Sequence, residues 1–101
     1  MRIIVLFNLK PGVTVESYEK WACDTDIPGV RALKSVSSYH VQRATGVLGT
    51  DTPSPYAYIE IIKISDMALF GEEAAGPVVQ ALGADMRNYA DDPIFITSES
   101  L

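Results

Sequence analysis

The 101-residue sequence holds one cysteine, Cys23, one histidine, His40, and one tryptophan, Trp21. A single cysteine closes no internal disulfide. Small secreted domains usually carry several, so the chain is expected to work in the reducing cytoplasm. One cysteine and one histidine do not furnish the four ligands of a zinc cage, and no metal is expected. Lysine and arginine form no cluster, whereas phosphate-backbone binding and anionic membrane surfaces both require one, so neither nucleic acid nor membrane is an expected partner. No apolar stretch approaches the ~20 residues of a membrane span. The opening run from Met1 to Asn8 is too short for the apolar region of a signal peptide. There are no repeats and no low-complexity segments.

What is present suits a single globular domain spanning residues 1–101. Hydrophobic residues make up 48% and charged residues 21%, which is enough apolar material for one core. The net charge is -5, unevenly spread. In residues 1–50 six cations outnumber four acids, whereas beyond residue 50 only Lys63 and Arg87 stand against nine acids.

Hydrophobic periodicity lays out the elements. Ile3 to Leu9 is an apolar, β-branched run closed by Lys10-Pro11-Gly12, a strand and its turn. Thr14 suits an N-cap, and Val15, Tyr18 and Ala22 recur at helical spacing, predicting a helix over 14–25 that Ile27-Pro28-Gly29 breaks. Val36 to Ala44 alternates as a second strand. Residues 45–55 form a long connection rich in turn formers, and Tyr56 to Ile64 is a third strand. A second helix capped by Ser65 is interrupted at Gly76-Pro77, resumes through Val79, Leu82 and Met86, and stops at Asp91-Asp92-Pro93. Ile94 to Thr97 is the final strand. The order β-α-β-β-α-β is the ferredoxin-like split βαβ pattern: an α+β fold whose antiparallel sheet carries its helices on one face.

The first strand supplies apolar side chains to both faces, through Ile3, Ile4, Val5, Leu6 and Phe7. Such runs belong to strands covered on both sides. The chain's own helices cover only one, so a second copy is expected on the other, packed sheet to sheet. Alternation then sorts the candidate site residues. The all-apolar row Ala57, Ile59 and Ile61 is assigned to the helices, together with Tyr39 and Val41. Tyr58 and Glu60 then share the opposite surface with Ser38 and His40. A carboxylate at Glu60, among isoleucines, must be paired, hydrogen-bonded or raised in pKa if it is buried. Asp24 and Asp26 sit near a helix C-terminus, where the helix dipole disfavours them.

The strand Ile3-Ile4-Val5-Leu6-Phe7-Asn8-Leu9-Lys10-Pro11-Gly12, the element order and the expected dimer resemble the dimeric α+β barrel superfamily. Tyr18 to Trp21, Asp24-Thr25-Asp26-Ile27-Pro28, Arg43-Ala44-Thr45-Gly46, Ser54-Pro55-Tyr56 and Ile59-Glu60-Ile61-Ile62 extend the resemblance, over nearly the whole chain, to the REDY-like HapK family of prodiginine (red tripyrrole pigment) pathways. Related barrels of the EthD type often carry a His-x-Pro element after the first helix. Here Asp26-Ile27-Pro28 stands in its place, leaving a carboxylate where those relatives have an imidazole.

The resemblance implies a homodimer and a role in assembling the bipyrrole half of such a pigment. The expected activity is a cofactor-free cyclase or dehydratase acting on a pyrrole intermediate, since closing a pyrrole ring needs proton transfers and loss of water. His40 is the expected proton shuttle, because imidazole exchanges protons near neutrality. Asp26 and Glu60 are the expected catalytic carboxyl groups. Tyr18, Trp21 and Tyr58 are expected to wall a flat heteroaromatic ligand, with Asn8, Asp24 and Ser38 as further binding residues and the 45–55 connection as a lid. Two other readings stay open, a cofactor-free monooxygenase of electron-rich aromatics and a non-catalytic carrier. Some barrel relatives bind haem, for which His40 is the one candidate ligand.

Overall fold

A computed structural model describes all residues, 1–101. Four strands, β1 (Arg2–Leu9), β2 (Val36–Arg43), β3 (Tyr58–Ile64) and β4 (Ala90–Ser98), form one antiparallel sheet in the order β2-β3-β1-β4. The helices are α1 (Val15–Trp21), α2 (Ile27–Arg31), α3 (Met67–Ala74) and α4 (Pro77–Met86). The fold is the ferredoxin-like α+β arrangement read from the sequence.

The first helix begins as expected, with the Thr14 hydroxyl accepting from the Ser17 N–H at 3.2 Å. It does not break at Ile27-Pro28-Gly29. A π turn (Ala22–Asp26) joins α1 to α2, and the chain stays helical through Pro28. A proline ring inside an α-helix meets the carbonyl four residues back. The wider π turn lies immediately ahead of Pro28, and it sets Asp26 inward. The second cap is Asp66, whose carboxylate accepts from the Leu69 N–H at 3.1 Å, rather than Ser65.

The core lies between helices and sheet. Val5, Phe7, Tyr18, Ala22, Tyr58 and Ala90 are buried together. Phe7 stacks on Tyr58 and meets Tyr18 edge-on, both at 5.5 Å, and Tyr18 lies 4.6 Å from Tyr58.

The strand register corrects one expectation. Glu60 pairs with Val5 on one side and Val41 on the other, and Tyr58 pairs with Phe7. Directly paired residues share a face, so Tyr58 and Glu60 face the helices, with Tyr39 and Val41. The row of Ile59 and Ile61 faces away. Ile61 pairs with Ile4 and His40, Ile59 with Leu6 and Gln42, and Ile4 and Leu6 pair in turn with Ile96 and Ile94. The open face is thus a patch of Ile4, Leu6, Ile59, Ile61, Ile94 and Ile96, with His40 and Ser38 toward its β2 edge. Assigning polar residues outward fails at Glu60, which the protein buries, and holds at Lys63, which is exposed.

The long β2–β3 connection is an ordered turn, not a flap over a cavity. Val47 N–H donates to Thr52 O at 3.0 Å, and Gly49 adopts φ +74°, a conformation glycine takes without strain. Asn8 fixes its far end: the amide Nδ2 donates to Pro55 O at 3.1 Å and Oδ1 accepts from the Ala57 N–H at 2.9 Å. Asn8→Ala is expected to cost about 1–2 kcal/mol in urea unfolding. Unchanged stability would mean the clamp contributes nothing.

Candidate functional site

The buried polar residues of the helix-facing side converge on one place. The π turn delivers Asp26, β2 delivers Tyr39 and β3 delivers Glu60. These are 5%, 1% and 3% exposed. The Tyr39 hydroxyl donates to Asp26 Oδ2 at 2.6 Å. Glu60 Oε2 is buried with no hydrogen-bond partner. Asp26 and Glu60 line a cavity of about 150 Å³ whose other walls are mostly apolar, including Val30, Phe70, Leu82, Met86 and Phe95.

Two carboxyl groups this close and this dry do not both ionise easily. Burial pushes the Glu60 carboxyl up to about 8, the charge of Asp26 adds to the shift, and the Tyr39 hydroxyl opposes both. Asp26 is also raised by burial, and the Tyr39 hydrogen bond pulls it back. Burial thus disfavours the charged form of both carboxyl groups, and the Tyr39 hydroxyl opposes the shift in each. Burial, followed by the charges of Glu60 and Asp26, holds the Tyr18 phenol far above its ordinary range, so Tyr18 keeps its proton. The Tyr18 hydroxyl is buried without a partner.

A second cavity, also about 150 Å³, lies beside α1, lined by Tyr18, Glu19, Ala22, Cys23, Val41, Arg43 and Tyr58 among others. Glu19 and Arg43, which are not among the expected site residues, meet Tyr58 along it. The Glu19 carboxylate accepts from Arg43 Nε at 2.6 Å, from the second guanidinium arm, and from the Tyr58 hydroxyl at 2.7 Å. These bonds, those of Arg43 first, hold the Glu19 carboxyl down at about 2. Burial and the Glu19 contact raise Tyr58 to about 12. Glu19 and Arg43 are far apart in sequence, and no local spacing signals their meeting.

The other expected site residues fall elsewhere. His40 is exposed on the open face with Ser38, across the sheet from Asp26 and Glu60, so it is no part of their group. Trp21 stacks on Tyr89 at 5.1 Å and lines neither cavity. Asp24 points outward and pairs with Lys20 at 2.9 Å. Both functional groups of the Asn8 amide are occupied by the loop. Residues 44–57 line neither cavity. Tyr58 and Tyr18 do line a cavity, but they pack against each other as core rather than standing apart as parallel walls. Tyr39, expected to be plain core, is the hydrogen-bond partner of Asp26. The only sequence signal for this role was its parity with the helix-facing row.

No three His, Cys, Asp or Glu side chains gather closely enough to hold a metal ion, and no helix is long and apolar enough to cross a membrane.

The model of the family described as REDY-like protein HapK matches residues 1–101. The crystal structure of HapK from Hahella chejuensis superposes with a TM-score of 0.75 at 26% identity, over 100% of this chain and 93% of that one. A dabb family protein with a ferredoxin-like fold from Mesorhizobium loti gives 0.76 at 18% identity, over 99% and 95%. A dimeric ferredoxin-like protein of unknown function from Thermobifida fusca gives 0.69 at 19% identity, over 94% and 85%. Comparison with curated proteins yields no match.

Proposed function

The chain belongs to the REDY-like protein HapK family, and from that membership and the buried Asp26–Tyr39–Glu60 group we propose that it is a cofactor-free acid–base catalyst. Its reaction is a cyclisation with loss of water on a pyrrole intermediate of a prodiginine-type pathway, carried out in the cytoplasm. The observation that carries the reading is a buried carboxyl group with an unpartnered oxygen beside a second one held by a tyrosine hydroxyl, both at one apolar cavity. Two titratable groups driven apart by their surroundings are the usual basis of an acid and base assignment.

The proton inventory closes on these two residues. As an amino nitrogen bonds to a carbonyl carbon, Glu60 gives its proton to the carbonyl oxygen and Asp26 takes one from the nitrogen. Asp26 then protonates the hydroxyl, which leaves as water, while Glu60 recovers a proton from the nitrogen. The product is an imine, and both carboxyl groups end as they began. Tyr39 orients Asp26, and the protonated Tyr18 supplies a further donor nearby.

We also propose a homodimer through the open face. Six aliphatic side chains in register form a contiguous patch that one chain leaves uncovered, with Ile94 and Ile96 43% and 42% exposed. Patches of this kind mark association surfaces. His40 then lies toward the edge of the interface and not in the cavity.

Incubation with candidate amino-carbonyl bipyrrole precursors, followed by mass measurement, tests the activity. Loss of one water is expected. Gain of oxygen would mark an oxygenase and an unchanged mass a carrier, and either contradicts the proposal. Asp26→Asn is expected to slow turnover by about 10²–10⁴-fold, the usual worth of a positioned acid or base. His40→Ala is expected to leave it within about twofold.

A further inference from the structure

No positive group answers the buried Asp26–Glu60 pair. The ion pairs of the molecule, Lys20–Asp24 and Arg43–Glu19, lie elsewhere, and the contacts of the two buried carboxyl groups are Tyr39 and each other's field. Arg31 comes near only to donate from Nε to the Tyr39 backbone carbonyl at 3.0 Å. A buried carboxylate without a cation costs several kcal/mol, and such charges persist where something else neutralises them. The cavity beside the pair is where that something fits: Glu60, 3% exposed, lines it and has an oxygen with no partner. The rest of its lining is aliphatic and aromatic, with Phe70 and Phe95 among it, and contains no lysine, arginine or histidine. Aromatic faces attract cations, and the acidic chain as a whole does the same.

We propose that this cavity binds a planar, singly charged nitrogen cation, a protonated amidine or an iminium, with Asp26 as its counter-ion and Glu60 as a hydrogen-bonding neighbour. This deepens the function proposed above and rests on the same site. In the ring closure the nitrogen is positively charged at the moment its bond to carbon forms, so a site that favours such a cation favours that species over the neutral substrate. Anionic analogues would add a third negative group to the pair and are excluded.

Benzamidinium, benzamide and benzoate have nearly the same shape and differ in charge, and all three can be titrated against the intact protein at neutral pH. Binding is read from the methyl NMR signals of Leu82 and Met86, which line this cavity, so that attachment to surface acids does not register. Benzamidinium is expected to shift both signals and to bind at least about tenfold more tightly than benzamide, with benzoate silent. Asp26→Asn is expected to erase the preference for the cation while benzamide binding stays. Should that variant fail to fold, Asp26→Ser serves, checked first by its methyl spectrum. Benzamide binding as tightly as benzamidinium, benzoate binding, or no cavity shift with benzamidinium overturns the inference. If benzamidinium binds but no precursor loses water, the cation site stands and the cyclase reading falls. If precursors lose water and benzamidinium neither binds nor inhibits, the cyclase reading stands and the cation site falls.

Discussion

Glu60→Gln is expected to stabilise the protein at pH 8 while removing its turnover. The folded chain holds the Glu60 proton up to about pH 8, whereas an exposed glutamate gives it up near 4.5. Between those values the folded state binds more protons than the unfolded one, so stability falls as pH rises and levels off above about 8. Asp26, raised by burial, acts in the same direction. Glu19 and Glu73 act oppositely, being held below their ordinary range by Arg43 and by hydrogen bonds at Ser35, so their contributions are lost in acid. Stability should therefore peak near pH 5. Glutamine keeps the shape of a protonated glutamate and never ionises. Relative to the parent it should gain on the order of 3 kcal/mol at pH 8, about 10 °C or more in Tm, and little at pH 5. Turnover should fall about 10²–10⁴-fold, because the amide cannot give up a proton. A variant no more stable than the parent at pH 8 would mean that burial does not raise the Glu60 carboxyl in the folded state.

Ile61→Lys is expected to turn a dimer into a monomer. Ile61 lies mid-sheet on the open face, with Ile4 on one flank and His40 on the other. An ammonium there meets no partner in a dry interface and must be desolvated, which costs several kcal/mol per copy and weakens association by about 10²-fold or more. In the isolated subunit the same lysine reaches water, so secondary structure should persist. Sedimentation should give twice the 11.0 kDa chain mass for the parent and one chain mass for the variant. A monomeric parent would contradict the dimer, and a variant still fully dimeric would place the interface elsewhere.

Much of the fold was legible because it depends on local periodicity. The strand at Ile3–Leu9, the cap at Thr14, the interruption at Gly76-Pro77 and the element order all follow from spacing and turn chemistry. The continuity of the helix through Pro28 was not legible, because proline normally ends a helix and the π turn that admits it has no composition of its own. For the site, Asp26 and Glu60 could be picked out as carboxyl groups in unfavourable local surroundings. Their partnership with Tyr39 could not. Alternation says which residues of β3 share a face, but when each row mixes apolar residues with one charged residue, Glu60 or Lys63, it does not say which row meets the helices. Composition alone favours the row of Ala57, Ile59 and Ile61 as the inner one. Once β3 is turned over, His40 leaves the group and Tyr39 joins it. The Glu19–Arg43–Tyr58 bonds were invisible for a different reason, since they join α1, β2 and β3 across 24 and 39 residues of sequence.

The acid role of Glu60 requires that its buried carboxyl keep its proton at neutral pH beside Asp26. The carboxyl ¹³C shift of Glu60, followed by NMR across pH 4 to 10 and assigned by its loss in Glu60→Gln, measures this without any substrate. It should remain that of a protonated acid at pH 7 and titrate at about 8. A Glu60 carboxyl already ionised at pH 5 would contradict both the assignment of acid and base and the function built on it.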